Sequence, residues 1–443
     1  MQQRSSPPPE LAIHGGQRSV PAELKTRWPL ITQQDKERIL ATLDEEVLHG
    51  PYVPEVEALE EDFAAYIGVK YCIATNSGTA ALHMAIAAAG IGPGDEVIVP
   101  SFTFIATASA VLHHNAIPVF VDIDPRSFNI DPEKIEAKIT THTKAIIPVH
   151  IHGLPVNLTE IQRIAKKYNL VLIEDACQAV GALYQGRKVG QFGALAAFSL
   201  NVTKTLPGIE GGLLVTNDKR LRDKANSLRM FGEDIRPDEM RSYDAYGMGW
   251  MYRTFGMPAA LARSQLHRLD EYNQNAIKNA ERLSKNLSAI KGLKLPCVPE
   301  DRTPTFHKYR VRLDATALAI KAPVAVFRDK LMKTLQAEGV DVVQWQTLPV
   351  PGHAVFQLKE GYGKGCPWSC HLCGHDVDYS LNHYPETARL LDDSFVVCSE
   401  SYPICAQKPE LMDRYGEAFA KVFDRLHWVT QVDLGDADER NAQ

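Results

Sequence analysis

From about residue 30 to residue 235, short runs of apolar and β-branched residues alternate with helical segments, and this alternation constrains the fold more than any other feature. VLIED (171–175) stands for the rest. A continuous Val, Leu and Ile run offers no polar face to water, so it belongs in a strand buried on both sides. CIAT (72–75), EVIVP (96–100), PVFVDI (118–123), AIIPV (145–149) and GLLVT (212–216) repeat the pattern. Amphipathic helices lie between them. From Pro54 to Ile67, for example, Val56, Leu59, Phe63 and Ile67 recur at helical spacing and Gly68 supplies the stop. Short joining segments fit one doubly wound α/β domain, a mostly parallel sheet with helices on both faces.

The 443 residues exceed what one hydrophobic core fills, so a second domain is expected. After about residue 260 the pattern turns to a long helix-rich stretch, then strand-like HKYRVRLD and a helix around Phe327 to Glu338. The expected division is an N-terminal arm over 1–30, a large domain over 31–260 and a smaller C-terminal α+β domain over 261–435. A net charge of −6 with no basic run excludes the electrostatic footprint of a nucleic-acid binder. No apolar run approaches the roughly 18 residues of a membrane span, and MQQRSSPPPE has no apolar h-region. Eight cysteines are too few for a disulfide scaffold in a chain this long. The expected setting is therefore soluble, cytoplasmic and reducing, with small-molecule chemistry as the task.

Three local features carry that chemistry. Asn76-Ser77-Gly78-Thr79 sits between an apolar run and the helical AALHMAIAAAG, where free backbone N–H groups and a positive dipole end suit a phosphate. Taken alone it is also an ordinary turn with a Thr cap. Asp175 ends VLIED, at the carboxyl end of a strand where open α/β sheets place ligand sites. A carboxylate there needs a partner, such as a protonated pyridine nitrogen, unless it merely caps the next turn. In FSLNVTKTLPGIEGGLLVT (198–216), Lys204 is followed by Gly208, Gly211 and Gly212 between two apolar strands. A lysine that forms a Schiff base must lose its proton near neutral pH, which calls for such a desolvated site.

Together, NSGTAALHMAIAAAGIGPGDEVIVPSFTFIATASAV, IEDACQAVGALYQGRKVGQFGALAAFSL and NVTKTLPGIEGGLLVTND closely resemble the DegT/StrS-type sugar aminotransferases. The resemblance runs from about Leu11 to Leu426. It implies a fold type I enzyme with a mostly parallel seven-stranded sheet, dependent on pyridoxal 5'-phosphate and working as a homodimer with its sites at the subunit interface. By that resemblance Lys204 holds the cofactor covalently and Asp175 partners the pyridine nitrogen. Gly78, Thr79 and Ser199 would bind the phosphate, Phe104 would stack on the ring, and Gln178 would lie beside it. Core packing for Phe104 and a surface amide for Gln178 are the plainer roles for those residue types. The opening LAIHGGQRSVPAELKTRWP is similar to the subgroup acting on ketocyclitols and related antibiotic precursors, which implies glutamine or glutamate as amino donor and a keto-sugar or ketocyclitol as acceptor.

Two segments depart from the family pattern. Where members commonly carry Gly-x-Asn-x-Arg, in a region lent to the partner's phosphate, this chain has Gly249-Trp250-Met251-Tyr252-Arg253, and a methionine donates nothing. The segment 361–386 is longer than its family counterpart, which would place it near the substrate mouth. Its Cys366, Cys370 and Cys373 have a spacing used for iron–sulfur clusters, and His371 and His375 could suit zinc; a loop of free or paired thiols is the preferred expectation, with no metal. Other pyridoxal-phosphate chemistry, oxidative or eliminating, a non-catalytic ligand sensor and a metal-dependent radical enzyme are the remaining alternatives. Family dehydratases carry histidine in place of the lysine, so Lys204 sets this chain apart from them.

Overall fold

Each apolar run becomes a strand because its side chains find cover on both faces, and the strands assemble with one reversal. The computed structural model describes residues 10–45, 47–50, 52–236, 239–372 and 376–435. In chain order, β1 (Tyr71–Thr75), β2 (Glu96–Pro100), β3 (Ile117–Val121), β4 (Thr143–Ile146) and β5 (Val171–Asp175) precede a small hairpin, β6 (Leu183–Tyr184) and β7 (Arg187–Lys188). Then come β8 (Leu195–Ser199), β9 (Gly212–Thr216), β10 (Leu293–Lys294), β11 (Arg302–Thr303), β12 (Tyr309–Leu313), β13 (Val342–Val343) and β14 (Ser394–Val397).

The central sheet has seven strands in the order β1-β9-β8-β5-β4-β2-β3. Only β9 runs against its neighbours β1 and β8; the other pairings are parallel. The carboxyl ends of β1, β2, β5 and β8 therefore share one edge. Val99, Ile173 and Phe198 are fully buried within it. Each such side chain contributes about 1.5–3 kcal/mol by leaving water, so the hydrophobic term amply specifies these strands. PVFVDI gives a strand only as far as Val121, and AIIPV only as far as Ile146, although the latter run stays beside the sheet, with Ile147 N–H donating to the Ile98 carbonyl and Val149 bridging Asp175.

A second, antiparallel sheet, β10-β12-β14-β13, packs with the helices Leu269–Leu287, Val324–Glu338 and Pro409–Phe423 around Tyr309, Val311, Leu331, Phe395 and Phe419. Leu11, Val20 and Trp28 from the N-terminal stretch enter this same core, and Glu338 accepts from the Ala12 and Ser19 N–H groups. No helix among the described residues is long and apolar enough to cross a membrane.

The inserted segment lies elsewhere than expected. Tyr379 donates to the carbonyl of Pro118 at 3.0 Å and accepts from Trp368 Nε1 at 3.0 Å, and its ring packs on Phe120 and Phe356. Leu372 abuts Gly94, just before β2. These contacts put the described residues around Trp368, Leu372 and Tyr379 at the amino ends of β2 and β3, and the chain returns to the carboxyl end of β3 only at Glu386, whose N–H donates to Asp122 at 3.0 Å. The aromatic side chains decide the matter: Trp368 and Tyr379 find apolar partners there, and a longer loop need not hang over a cavity.

Candidate active site

At the carboxyl edge, three chain segments meet so closely that glycine is required. A Cβ on Gly78 would stand 2.9 Å from Ser199 Cβ and 3.0 Å from Cys177 Sγ, and one on Gly212 would stand 2.2 Å from the Ser77 carbonyl oxygen. The helix Gly78–Ala88 starts at this junction. Its N-cap is Ser77, whose hydroxyl accepts from the Ala80 N–H at 3.0 Å, so the cap expected of Thr79 is made by its neighbour but one. Thr79 is left to line a cavity together with the first-turn N–H groups, which have no partner within a helix.

Lys204 lies on the turn after β8. That turn is closed by the Leu200 and Gly208 N–H groups, which donate to the Gly211 and Leu200 carbonyls, and Lys204 N–H donates to Asn201 O at 2.8 Å. Trp28 Nε1 donates to the Lys204 carbonyl at 3.2 Å, tying the N-terminal stretch to the turn.

Asp175 is 5% exposed. One carboxylate oxygen accepts from Thr107 Oγ1 at 2.8 Å, which in turn pairs with Thr103 Oγ1 at 2.9 Å; the other accepts from the Cys177 N–H at 3.2 Å. These are neutral partners, and among the described residues no Lys or Arg makes an ion pair with it. An ionised carboxylate buried without a cation costs several kcal/mol, so the site is built to receive a positive group. Gln178 is buried and accepts from the His152 N–H at 2.9 Å, which rules out the surface amide. Phe104 is 54% exposed, which rules out core packing and leaves its ring at the cavity.

One cavity of about 710 Å³ is lined by Gly78, Thr79, Phe104, Asp175, Gln178, Ser199 and Lys204, so the structure brings all seven expected residues together. Sequence reading missed others. Thr107 sits inside the recognised SFTFIAT stretch, and its place one helical turn after Phe104 was the available signal. Lys308, Trp345 and Glu400 come from three distant segments. Their one signal is the alternation Lys308, Arg310, Arg312, a charged face on a strand. Burial lowers the Lys308 pKa to about 8 against the opposing pull of Glu400, and His307 is held well below the usual imidazole range by burial and by the nearby Lys204 and Lys308.

Met251 does not line the cavity. It is 40% exposed, and its carbonyl accepts from Asn76 Nδ2 at 3.3 Å, so its segment runs beside the turn that leads to Gly78. Among the described residues no group of three or more His, Cys, Asp or Glu is placed to hold a metal ion. Cys366 and Cys370 are free thiols, while Cys373 and His375 lie outside the described residues.

Residues 29–390 match the DegT/DnrJ/EryC1/StrS aminotransferase family. The spore coat polysaccharide biosynthesis protein SpsC of Bacillus subtilis is 34% identical over 368 residues, covering 82% of this chain and 90% of that protein. GDP-perosamine synthase of Caulobacter vibrioides is 38% identical over 326 residues, covering 71% of this chain and 81% of its own length. Among solved structures, 3-amino-5-hydroxybenzoic acid synthase superposes with a TM-score of 0.80 at 26% identity, over 91% of this chain and all of the other. The chain belongs to the DegT/DnrJ/EryC1/StrS family, has the fold of its type I enzymes, and is an aminotransferase.

Proposed function

We propose that this aminotransferase moves an amino group from glutamine or glutamate to a keto-sugar or ketocyclitol, with pyridoxal 5'-phosphate held through Lys204. The observation that carries the assignment is the convergence of Gly78, Thr79, Phe104, Asp175, Gln178, Ser199 and Lys204, spread over more than a hundred residues, on one cavity. Sugar-directed relatives such as the perosamine synthase support the acceptor class.

The residues present fit the cofactor. The glycine-only junction at Gly78, the first-turn N–H groups and the hydroxyls of Thr79 and Ser199 suit its phosphate. Asp175, buried without a cation, holds the proton on a ring nitrogen, and Thr107 fixes its orientation. The exposed ring of Phe104 supplies a stacking face, and Gln178 is locked beside it by the His152 N–H. When bound, the cofactor supplies an electron sink for a carbanion. The Lys204 amine carries a proton to and from the donor's α-carbon, which fits a turn pinned at its backbone with the side chain free to swing.

A homodimer is part of the same proposal. Phe231, Met240, Tyr243, Tyr246, Met248 and Met251 form a run of exposed large apolar side chains, the kind of surface a partner covers. The division into an arm over 1–30, a large domain over 31–260 and a small one over 261–435, and a cytoplasmic setting, complete it.

Incubation with glutamine or glutamate alone tests the function. The bound cofactor should pass to its amine form without any acceptor, and a panel of keto-sugars and ketocyclitols should then return it to the aldehyde. If no common amino acid produces the first change, the assignment fails.

A further inference from the structure

The cavity has two walls of different origin. One is formed at the carboxyl ends of β1, β5 and β8; the other comes from the four-stranded sheet, through Lys308 ahead of β12, Trp345 after β13 and Glu400 after β14. Three basic residues alternate along the start and length of β12. Arg310 is committed to His152 Nε2, Ser394 Oγ and the Trp345 carbonyl, and Arg312 to both oxygens of Asp393 and the Pro125 carbonyl. Lys308 is different. Its side chain is 2% exposed yet reaches the cavity, and its single hydrogen bond among the described residues goes to Glu400 Oε1 at 2.8 Å, with the Trp345 ring centre 5.3 Å away.

An ammonium has three donors and no acceptor, so Lys308, its side chain almost wholly removed from water, keeps N–H capacity unspent at the cavity wall. Glu400, its counter-ion, has a side chain that is 42% exposed and so can turn away at little cost. A site that transaminates by alternation must take in turn an amino acid, which brings a carboxylate, and a polyol ketone, which brings hydroxyls. A fixed lone cation would be left unpaired by the second molecule. A cation with its own movable carboxylate serves both.

We infer that Lys308 is a specificity-determining residue that binds the α-carboxylate of the amino donor, with Glu400 as the counter-ion that lets the same pocket take an uncharged polyhydroxyl acceptor. The inference rests on the aminotransferase assignment and on the site proposed above. On donor entry Lys308 turns an N–H to the carboxylate. With the acceptor in place it stays with Glu400, whose second oxygen accepts from a hydroxyl.

The test uses the cofactor-loaded protein and three probes at pH 7: glutamine, 4-aminobutanamide, which is the same molecule without its α-carboxylate, and glutaramate, which keeps a carboxylate but has no amine. Spectral titration gives apparent affinities for the two amines, and calorimetry gives that of glutaramate without any turnover. In Lys308→Met, glutamine and glutaramate should each weaken at least 30-fold while 4-aminobutanamide changes less than threefold. Lys308→Arg, which keeps the charge and serves if the methionine variant does not fold, should hold glutamine within about fivefold. Equal weakening of glutamine and 4-aminobutanamide, or no weakening of glutamine, overturns the inference. A wild-type protein that takes up cofactor but exchanges no amine overturns instead the assignment beneath it.

Discussion

The wall built from the seven-stranded sheet and the wall built from the four-stranded sheet solve different physical problems. On the first, Asp175 is buried beside neutral hydrogen-bond donors and Gly78 is pressed against Ser199, an arrangement that leaves a charge and a set of N–H groups waiting for one fixed guest. On the second, the charge of Lys308 is already met by Glu400, whose side chain is partly exposed and free to change partner. The first wall suits a resident group and the second a succession of visitors. The chemistry of a family can therefore stay constant on one wall while its substrates vary on the other.

Substitutions on the two walls should differ in size and in kind. Lys204→Ala should abolish turnover, by about 10⁴-fold or more, because one residue both anchors the cofactor and moves the proton. Measurable steady-state transamination by this variant would show that the lysine is not the base. Asp175→Asn should keep cofactor and lose about 10³-fold, the scale of removing one preorganised electrostatic contact. Near-wild-type turnover there, with donor shown to bind, contradicts its role.

On the second wall the effects should be smaller and selective. With its pKa lowered to about 8, Lys308 is charged below that pH, so donor affinity should be constant from pH 6 to 7.5 and fall toward tenfold per unit above pH 8. The sign follows from the ammonium being the binding form. Donor affinity that stays flat through pH 9.5, after allowance for the donor's own amine, would break the contrast between the walls.

How much of this was legible follows from how local each feature is. Lys204 with its glycines, Asp175 at the end of VLIED and Gly78-Thr79 before a helix are each contained in a few residues, so their chemistry can be read along the chain. Thr107 was within a recognised stretch but became meaningful only once its hydroxyl was seen to reach Asp175. Lys308, Trp345 and Glu400 are 37 and 55 residues apart in succession, and only the pairing of β12, β13 and β14 brings them together. The part of the segment 361–386 around Trp368 and Tyr379 lies at the other sheet edge, because extra length says nothing about which edge those two side chains will choose.

Outside both walls the effects should be smallest. If a partner subunit reaches the cofactor through the segment around Met251, Met251→Asn should add a hydrogen bond to a charged group, about 1.5–3 kcal/mol, and slow cofactor loss roughly tenfold. Unchanged loss with a lower melting temperature would show that this exposed side chain serves apolar packing instead. The pair Cys366→Ser and Cys370→Ser should alter turnover less than about twofold, since their segment packs at the opposite edge of the sheet. A large loss of activity with retained folding would bring that segment back to the site.

The central claim is that Lys204 holds the cofactor, and trapping tests it most directly. The purified protein should be yellow, and borohydride should remove the absorbance while fixing the cofactor to the chain. Peptide mapping should then place the label on Lys204 within FSLNVTKTLPGIEGG. A label on Lys308 or on any other lysine, or a protein that takes up no cofactor at all, would contradict the account.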